Sequence, residues 1–170
     1  GFGRVLYRFV APLFPEADAT QLRLIRAACL LHDVSWRAHP DYRAEVCFEY
    51  ATRANLGGLK HWERVFMGLS LLHRYRNRRE GSRFEDLFAL LSDTHQREAE
   101  ILGKAMRLGA MLWVGKGHEG EIALKWDPET KALALRIAEH ALPLVGEVTD
   151  ARFKSLGDAL GANDVTVVTI

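Results

Sequence analysis

Ala28-Cys29-Leu30-Leu31-His32-Asp33-Val34-Ser35-Trp36-Arg37-Ala38-His39-Pro40 decides how this chain reads. Its first half extends the stripe Leu22, Ile25, Cys29, His32, Trp36. Those positions alternate by three and four, which is one face of a helix. Pro40 suits the first turn of a following helix over 40–54, because a proline loses nothing where the N–H has no partner. The stretch therefore predicts an apolar helix with an adjacent His-Asp pair near its end. Neighbouring imidazole and carboxylate groups can reach one divalent cation from two sides.

Working outward, the first two-thirds of the chain predict further helices. One covers 3–13 and stops at the Pro12 to Pro15 region. Asp18 or Thr20 caps the next, with Gln21 three residues after Asp18. Gly57-Gly58 breaks the chain ahead of a helix over 59–78, whose stripe is Leu59, Trp62, Phe66, Leu69, His73. A short helix carries Phe84, Leu87, Phe88 and Leu91, and one over 94–113 carries Ile101, Ala105, Leu108 and Leu112. Past Gly115 the period changes. Glu121 to Trp126 alternates, Asp127-Pro128-Glu129-Thr130 supplies a turn, and Ala132 to Ile137 continues extended. A helix over 147–160 ends at Gly161, and the β-branched run Val165 to Ile170 reads as a last strand. The fold expected is mainly α: a helical domain over 1–116, then a small α/β (β-β-α-β) appendage over 117–170. The boundary is expected near 113–120, where Gly115 and Gly117 flank Lys116.

The chain has 170 residues, enough for one domain with a real core plus a small addition. It opens at Gly1 inside a helical pattern, which reads as a piece of a longer or processed protein. Two cysteines, Cys29 and Cys47, sit on apolar faces and suit a reducing cytoplasm better than a disulfide scaffold. No apolar run is long enough to span a bilayer, so no membrane partner is expected. The net charge of +1 hides an asymmetry. Residues 51–83 carry eight basic and two acidic side chains, whereas 84–170 carry nine basic and fourteen acidic. An anion would be steered to the middle third.

His73, Arg74, Arg76, Arg78, Arg79 and Arg83 form the densest basic run. On a continuing helix Arg74 and Arg78 share a face, as do Arg76 and Arg79. Guanidinium forks suit phosphate oxygens. The competing reading is a solvated helix end whose cations meet the C-terminal dipole. His73 closes an apolar stripe, so a half-buried core histidine is the favoured reading there. Trp36, Trp62, Trp113 and Trp126 are expected to pack rather than stack on a ligand. Aromatic and basic residues are not interleaved as a base-stacking surface needs, which argues against nucleic acid.

The His-Asp pair resembles the signature of HD-type phosphohydrolases. That resemblance asks for an upstream His and a late Asp as well. No His precedes His32, and Gly109 stands in Met106-Arg107-Leu108-Gly109-Ala110 where the late carboxylate is wanted. His32 and Asp33 thus form a degenerate metal pair, which His39 or His73 would have to complete. The alternative is a satisfied core histidine beside an interior acceptor carboxylate.

The wider context carries a more specific resemblance. Leu30 to Arg43, the segment from Gly57-Gly58 to His73-Arg74-Tyr75-Arg76, and Met106 to Leu112 are similar to the C-terminal HD-like domain of the exopolyphosphatase and guanosine-pentaphosphatase family. The resemblance implies that catalysis, with its Mg2+ and glycine-rich phosphate loops, belongs to N-terminal actin-like domains that this sequence does not include. It gives this chain no catalytic residue and no cofactor of its own. It implies that the domain helps to hold inorganic polyphosphate, here through His73, Arg74, Arg76, Arg78, Arg79 and Arg83. It further implies contacts with the N-terminal catalytic domains and, as a homodimer, with a second subunit. Two rival expectations stand beside it: a stand-alone metal-dependent phosphohydrolase using His32 and Asp33, and a purely structural dimerisation module.

Overall fold

The structure is a computed structural model that describes residues 1–54, 56–112 and 120–170. Helix α1 (Phe2–Val10) buries Leu6, Phe9 and Val10 and runs into a 3-10 turn at Ala11–Leu13 that contains Pro12. Asp18 caps α2 (Ala19–Leu30), its carboxylate accepting from the Gln21 N–H at 2.8 Å. Of the two caps expected from the sequence, Asp18 and Thr20, it is Asp18 that satisfies one of the orphan donors of the first turn.

The decisive stretch departs from expectation halfway along. Helix α2 stops at Leu30, and residues 31–37 follow as successive turns. Val34, Trp36 and Ala38 each donate to the carbonyl three residues back. Side-chain hydrogen bonds across this stretch compete with the helix. The Ser35 hydroxyl donates to the Arg43 carbonyl at 2.9 Å, and Arg43 Nε donates to the Ala38 carbonyl at 3.1 Å. Pro40 holds His39 extended. Trp36 consequently lies outside the helical stripe and is 60% exposed, so it is not the packing residue expected.

A 3-10 turn at Pro40–Tyr42 leads into α3 (Arg43–Arg53), and α4 (His61–Tyr75) follows. Helix α4 is the centre of the molecule: every residue from Val65 to His73 is buried, and α2, α3 and α6 pack around it. A helix apolar on most sides has to be enclosed in this way. Glu63 is buried at its start and is satisfied twice, by the Lys60 N–H at 2.8 Å and by Arg23 at 2.9 Å. After the short α5 (Glu85–Phe88), Ser92 caps α6 (Asp93–Met111) by accepting from the His95 N–H. Close approaches of backbone decide two crossings. Gly103 of α6 lies against His73 and Ser70 of α4, and Gly109 of α6 lies beneath Leu6 and Phe9 of α1.

Strands β1 (Ile122–Asp127) and β2 (Ala132–Ile137) form the expected antiparallel hairpin, with Ile122 opposite Ile137 and Leu124 opposite Leu135. Asp127 closes its turn by accepting from the Glu129 N–H at 2.9 Å. A 3-10 stretch (Glu139–Leu144) and α7 (Glu147–Leu160) lead to β3 (Asp164–Thr169), which joins the other edge of β2 in parallel. Gly161 ends α7 in the left-handed region at φ 70°, where a side chain would be strained. Mainly-α with a small α/β part is therefore the observed class. Helix α7 packs on α6, and β1 packs on α1 and its following turn. Buried residues from Leu6 to Leu156 make one continuous cluster. The boundary expected near 113–120 falls on Trp113, Gly115, Lys116 and Gly117, which lie outside the described residues. No helix among the described residues is long and apolar enough to cross a membrane.

Cys29 and Cys47 are both buried and free. Burial pushes the Cys29 thiol up to about 12, so neither chemistry nor access favours it as a nucleophile.

Candidate anion site

Helix α4 ends at Tyr75, three residues earlier than the sequence predicts. Arg76 is extended, with φ −136° and ψ 130°. Arg78, Arg79 and Arg83 therefore lie on the loop that follows, not on a helical face. The structure divides the six residues of the basic run into three groups.

Arg76 and Arg83 turn toward α3. Arg83 meets Glu49 at 2.6 Å and Glu45 at 3.5 Å, and Arg76 reaches Glu45 at 3.9 Å. Their charges are largely balanced. Arg74 turns the other way. It is half-buried, stacks over the Tyr75 ring at 4.7 Å and lies near Asp33, Cys47 and Arg43. Tyr75 holds this corner by donating its hydroxyl to the His32 carbonyl at 2.8 Å.

His73, Arg78 and Arg79 face a third direction. With Asn77, Glu80, Glu100 and Lys104 they line a cleft of about 320 Å³. Arg78 and Arg79 make no ion pair among the described residues, while Lys104 is held by Glu100 at 3.0 Å. Sequence reasoning missed Lys104 because it sits 21 residues beyond Arg83, in a different helix. The cleft is open and polar, and suits a hydrated anion better than an apolar ligand.

His73 forms the floor of the cleft. It is 1% exposed, more deeply buried than the half-buried position expected, and neither ring nitrogen has a hydrogen-bond partner. Burial is the main cause pushing its pKa down to about 4, with Glu100 opposing and Lys104 and Arg79 adding to the shift. The folded value lies below the unfolded one, so acid favours the unfolded chain. The stability of the neutral ring is complete above about pH 6.5 and is lost as pH falls toward 4, by up to about 3 kcal/mol. Urea unfolding at pH 7, 5.5 and 4 is expected to show this loss, and His73→Gln is expected to lose less across that window. Parallel losses in both proteins would remove His73 as the cause.

Two further arginines belong to the neighbourhood. Arg107 of α6 and Arg152 of α7 lie close enough for their charges to act on one another, and Arg74 acts on Arg107 as well. Burial, then Arg152, then Arg74 push the Arg107 guanidinium down to about 10. Nothing local in the sequence signals this grouping, since the three residues come from three helices.

The His-Asp pair does not sit as the helical reading requires. His32 and Asp33 lie in the turns after α2. Their side chains approach to 4.0 Å, with Asp33 60% exposed and His32 edge-on to Phe2 at 5.1 Å. Asp33 is thus no interior acceptor, and His32 is no satisfied core histidine, because its buried Nδ1 has no partner. Among the described residues no group of three His, Cys, Asp or Glu converges as a metal site. His39 bonds instead to the Asp41 N–H, and His73 is buried in the cleft floor. Two donors do not satisfy a magnesium ion, which wants several oxygen ligands in octahedral order.

A family model described as exopolyphosphatase, C-terminal, matches residues 9–167, which takes in the whole basic cleft and the His-Asp pair. No curated protein matches the chain.

Proposed function

We propose that this chain, which belongs to the exopolyphosphatase C-terminal family, is a non-catalytic accessory domain that holds inorganic polyphosphate. In this reading the helical part over 1–116 is HD-like and the part over 117–170 is an α/β subdomain. The domain works in the cytoplasm beside N-terminal catalytic domains and a second subunit. Those catalytic domains, with their Mg2+, release terminal phosphate from the chain that this domain helps to hold.

The observation that supports the reading is the cleft at the end of α4. Arg78 and Arg79 stand at it with no ion pair among the described residues, beside Glu80 and the paired Lys104 and Glu100. Polyphosphate carries about one negative charge per phosphate. Cations spaced along a cleft bind such a chain by releasing its counterions, so the affinity falls with salt. Arg76 and Arg83 flank the cleft with charges already balanced by Glu45 and Glu49, and they contribute less.

Fluorescently labelled long-chain polyphosphate is expected to bind saturably, with steep weakening between low and high salt. Arg78→Gln combined with Arg79→Gln is expected to weaken binding about tenfold or more and to reduce the salt slope by about one to two. Binding that is unaltered in the double variant removes the cleft as the site. No binding by the parent chain even at low salt leaves dimerisation as its role.

A further inference from the structure

We propose that the groove between α1 and α2 is a second place at which this domain holds inorganic polyphosphate. The inference rests on the reading of the domain as a polyphosphate holder and adds a site separate from the cleft at His73. Arg4, Tyr7 and Arg8 of α1 line one cavity of about 520 Å³ with Arg26 and Leu30 of α2. None of these five residues lines the cleft at the end of α4. The two helices meet closely because Gly3 lies against α2, where a Cβ would stand 2.9 Å from the Cys29 carbonyl oxygen and 3.0 Å from Leu30 Cα.

Charge singles this groove out. Helices α1 and α2 carry Arg4, Arg8, Arg23 and Arg26 and no acidic residue. Arg23 is held by Glu63 at 2.9 Å and is not part of the lining. The other three arginines line the groove, and no carboxylate among the described residues does. Arg4 and Arg26 make no ion pair among the described residues. Arg26 is nevertheless held in place, because its guanidinium lies over the Tyr7 ring at 4.9 Å. Arg4 and Arg8 are one helical turn apart on the same side of α1. Like charges gathered in a concave place draw anions to it.

The arrangement favours a condensed phosphate over an acidic peptide. Guanidinium forks can give two hydrogen bonds at once to phosphate oxygens. Polyphosphate carries its charges on the backbone itself, so successive phosphates meet successive arginines with no side chain to be ordered. An acidic peptide has to immobilise each carboxylate-bearing side chain, at a cost for each one. The three guanidiniums are exposed at their rim, so they bind such a chain through release of its counterions and the affinity falls with salt.

The test is calorimetric titration of the whole chain with tripolyphosphate at low salt, in the parent and in three double variants. The parent is expected to bind one tripolyphosphate at the cleft and one at the groove. Arg4→Gln with Arg26→Gln is expected to keep only the cleft, and to lose about tenfold in affinity for labelled long-chain polyphosphate. Arg78→Gln with Arg79→Gln is expected to keep only the groove. Arg37→Gln with Arg53→Gln removes the same charge from residues that line neither place, and is expected to keep both. Parent-like binding in the Arg4 and Arg26 variant, with loss in the Arg78 and Arg79 variant, overturns the groove and leaves the cleft standing. The reverse pattern supports the groove and removes the cleft. Equal losses in the Arg4 and Arg26 variant and in the Arg37 and Arg53 variant overturn the groove, because net charge alone then explains them. Polyglutamate that binds the parent as tightly as polyphosphate of matched charge, and is lost in the Arg4 and Arg26 variant, overturns the ligand and makes the groove a surface for an acidic protein.

Discussion

Gly103→Ala is expected to lower the stability of the chain by about 3 kcal/mol, at the upper end of what one added carbon does in a packed interior. A Cβ at Gly103 would stand 2.4 Å from His73 Cβ, 2.4 Å from the Ser70 carbonyl oxygen and 2.9 Å from the His73 carbonyl carbon. Two of those three atoms are backbone, so rotamer changes do not relieve the clash. Retreat of α4 is blocked on its other side. Gly68 already presses on the Phe48 ring, where a Cβ would come to 2.8 Å, and Phe48 is stacked on Phe84 at 4.4 Å. Urea unfolding is expected to show a lower midpoint with an unchanged slope. Gly57→Ala is the matched control, since nothing lies within 4 Å of a Cβ there. Equal midpoints for Gly103→Ala and Gly57→Ala would mean that the α4–α6 crossing is looser than described. Because His73 is both the clash partner and the floor of the cleft, the same substitution is expected to weaken polyphosphate binding.

Helical spacing and capping chemistry are local, and these parts of the fold were legible. The Asp18 cap, the buried stripes of α4 and α6, the β1–β2 hairpin and the Gly161 stop each depend on a few adjacent residues. The errors came where a local pattern met a longer-range competitor. The stripe through Cys29, His32 and Trp36 has helical spacing, yet Ser35 and Arg43 form hydrogen bonds that end the helix early. The spacing of the basic run pairs Arg74 with Arg78 and Arg76 with Arg79 on a continuing helix, but α4 ends at Tyr75 and its arginines take three directions. Glu45 and Glu49, which quiet Arg76 and Arg83, lie some 30 residues away in sequence. Charge density alone does not tell a balanced arginine from an open one. Arg107 was visible only as part of a family-like segment, and Arg152 not at all, because their meeting depends on how α6 packs on α7.

Gly109→Asp places a carboxylate where the HD-type resemblance asks for one, and is expected to destabilise the chain by about 3 kcal/mol or more without creating a metal site. A Cβ at Gly109 would lie 2.7 Å from Leu6 Cδ1 and 2.9 Å from Phe9 Cδ1. Leu6 is fully buried and Phe9 nearly so, and both are anchored in α1. The aspartate would thus be forced among apolar side chains with no donor to meet it, and burying an unpaired carboxylate is costly. Phe2 of the same helix stands edge-on to His32, so α1 packs against both positions that the HD-type resemblance singles out. Gly109→Ala separates the two contributions, because it adds the Cβ without the charge and is expected to fall between the parent and Gly109→Asp. Calorimetric titration with Mn2+ is expected to give no stoichiometric binding in any of the three proteins. One tight Mn2+ per chain in Gly109→Asp, with stability retained, would show that α1 yields and that a carboxylate at this position completes a metal site.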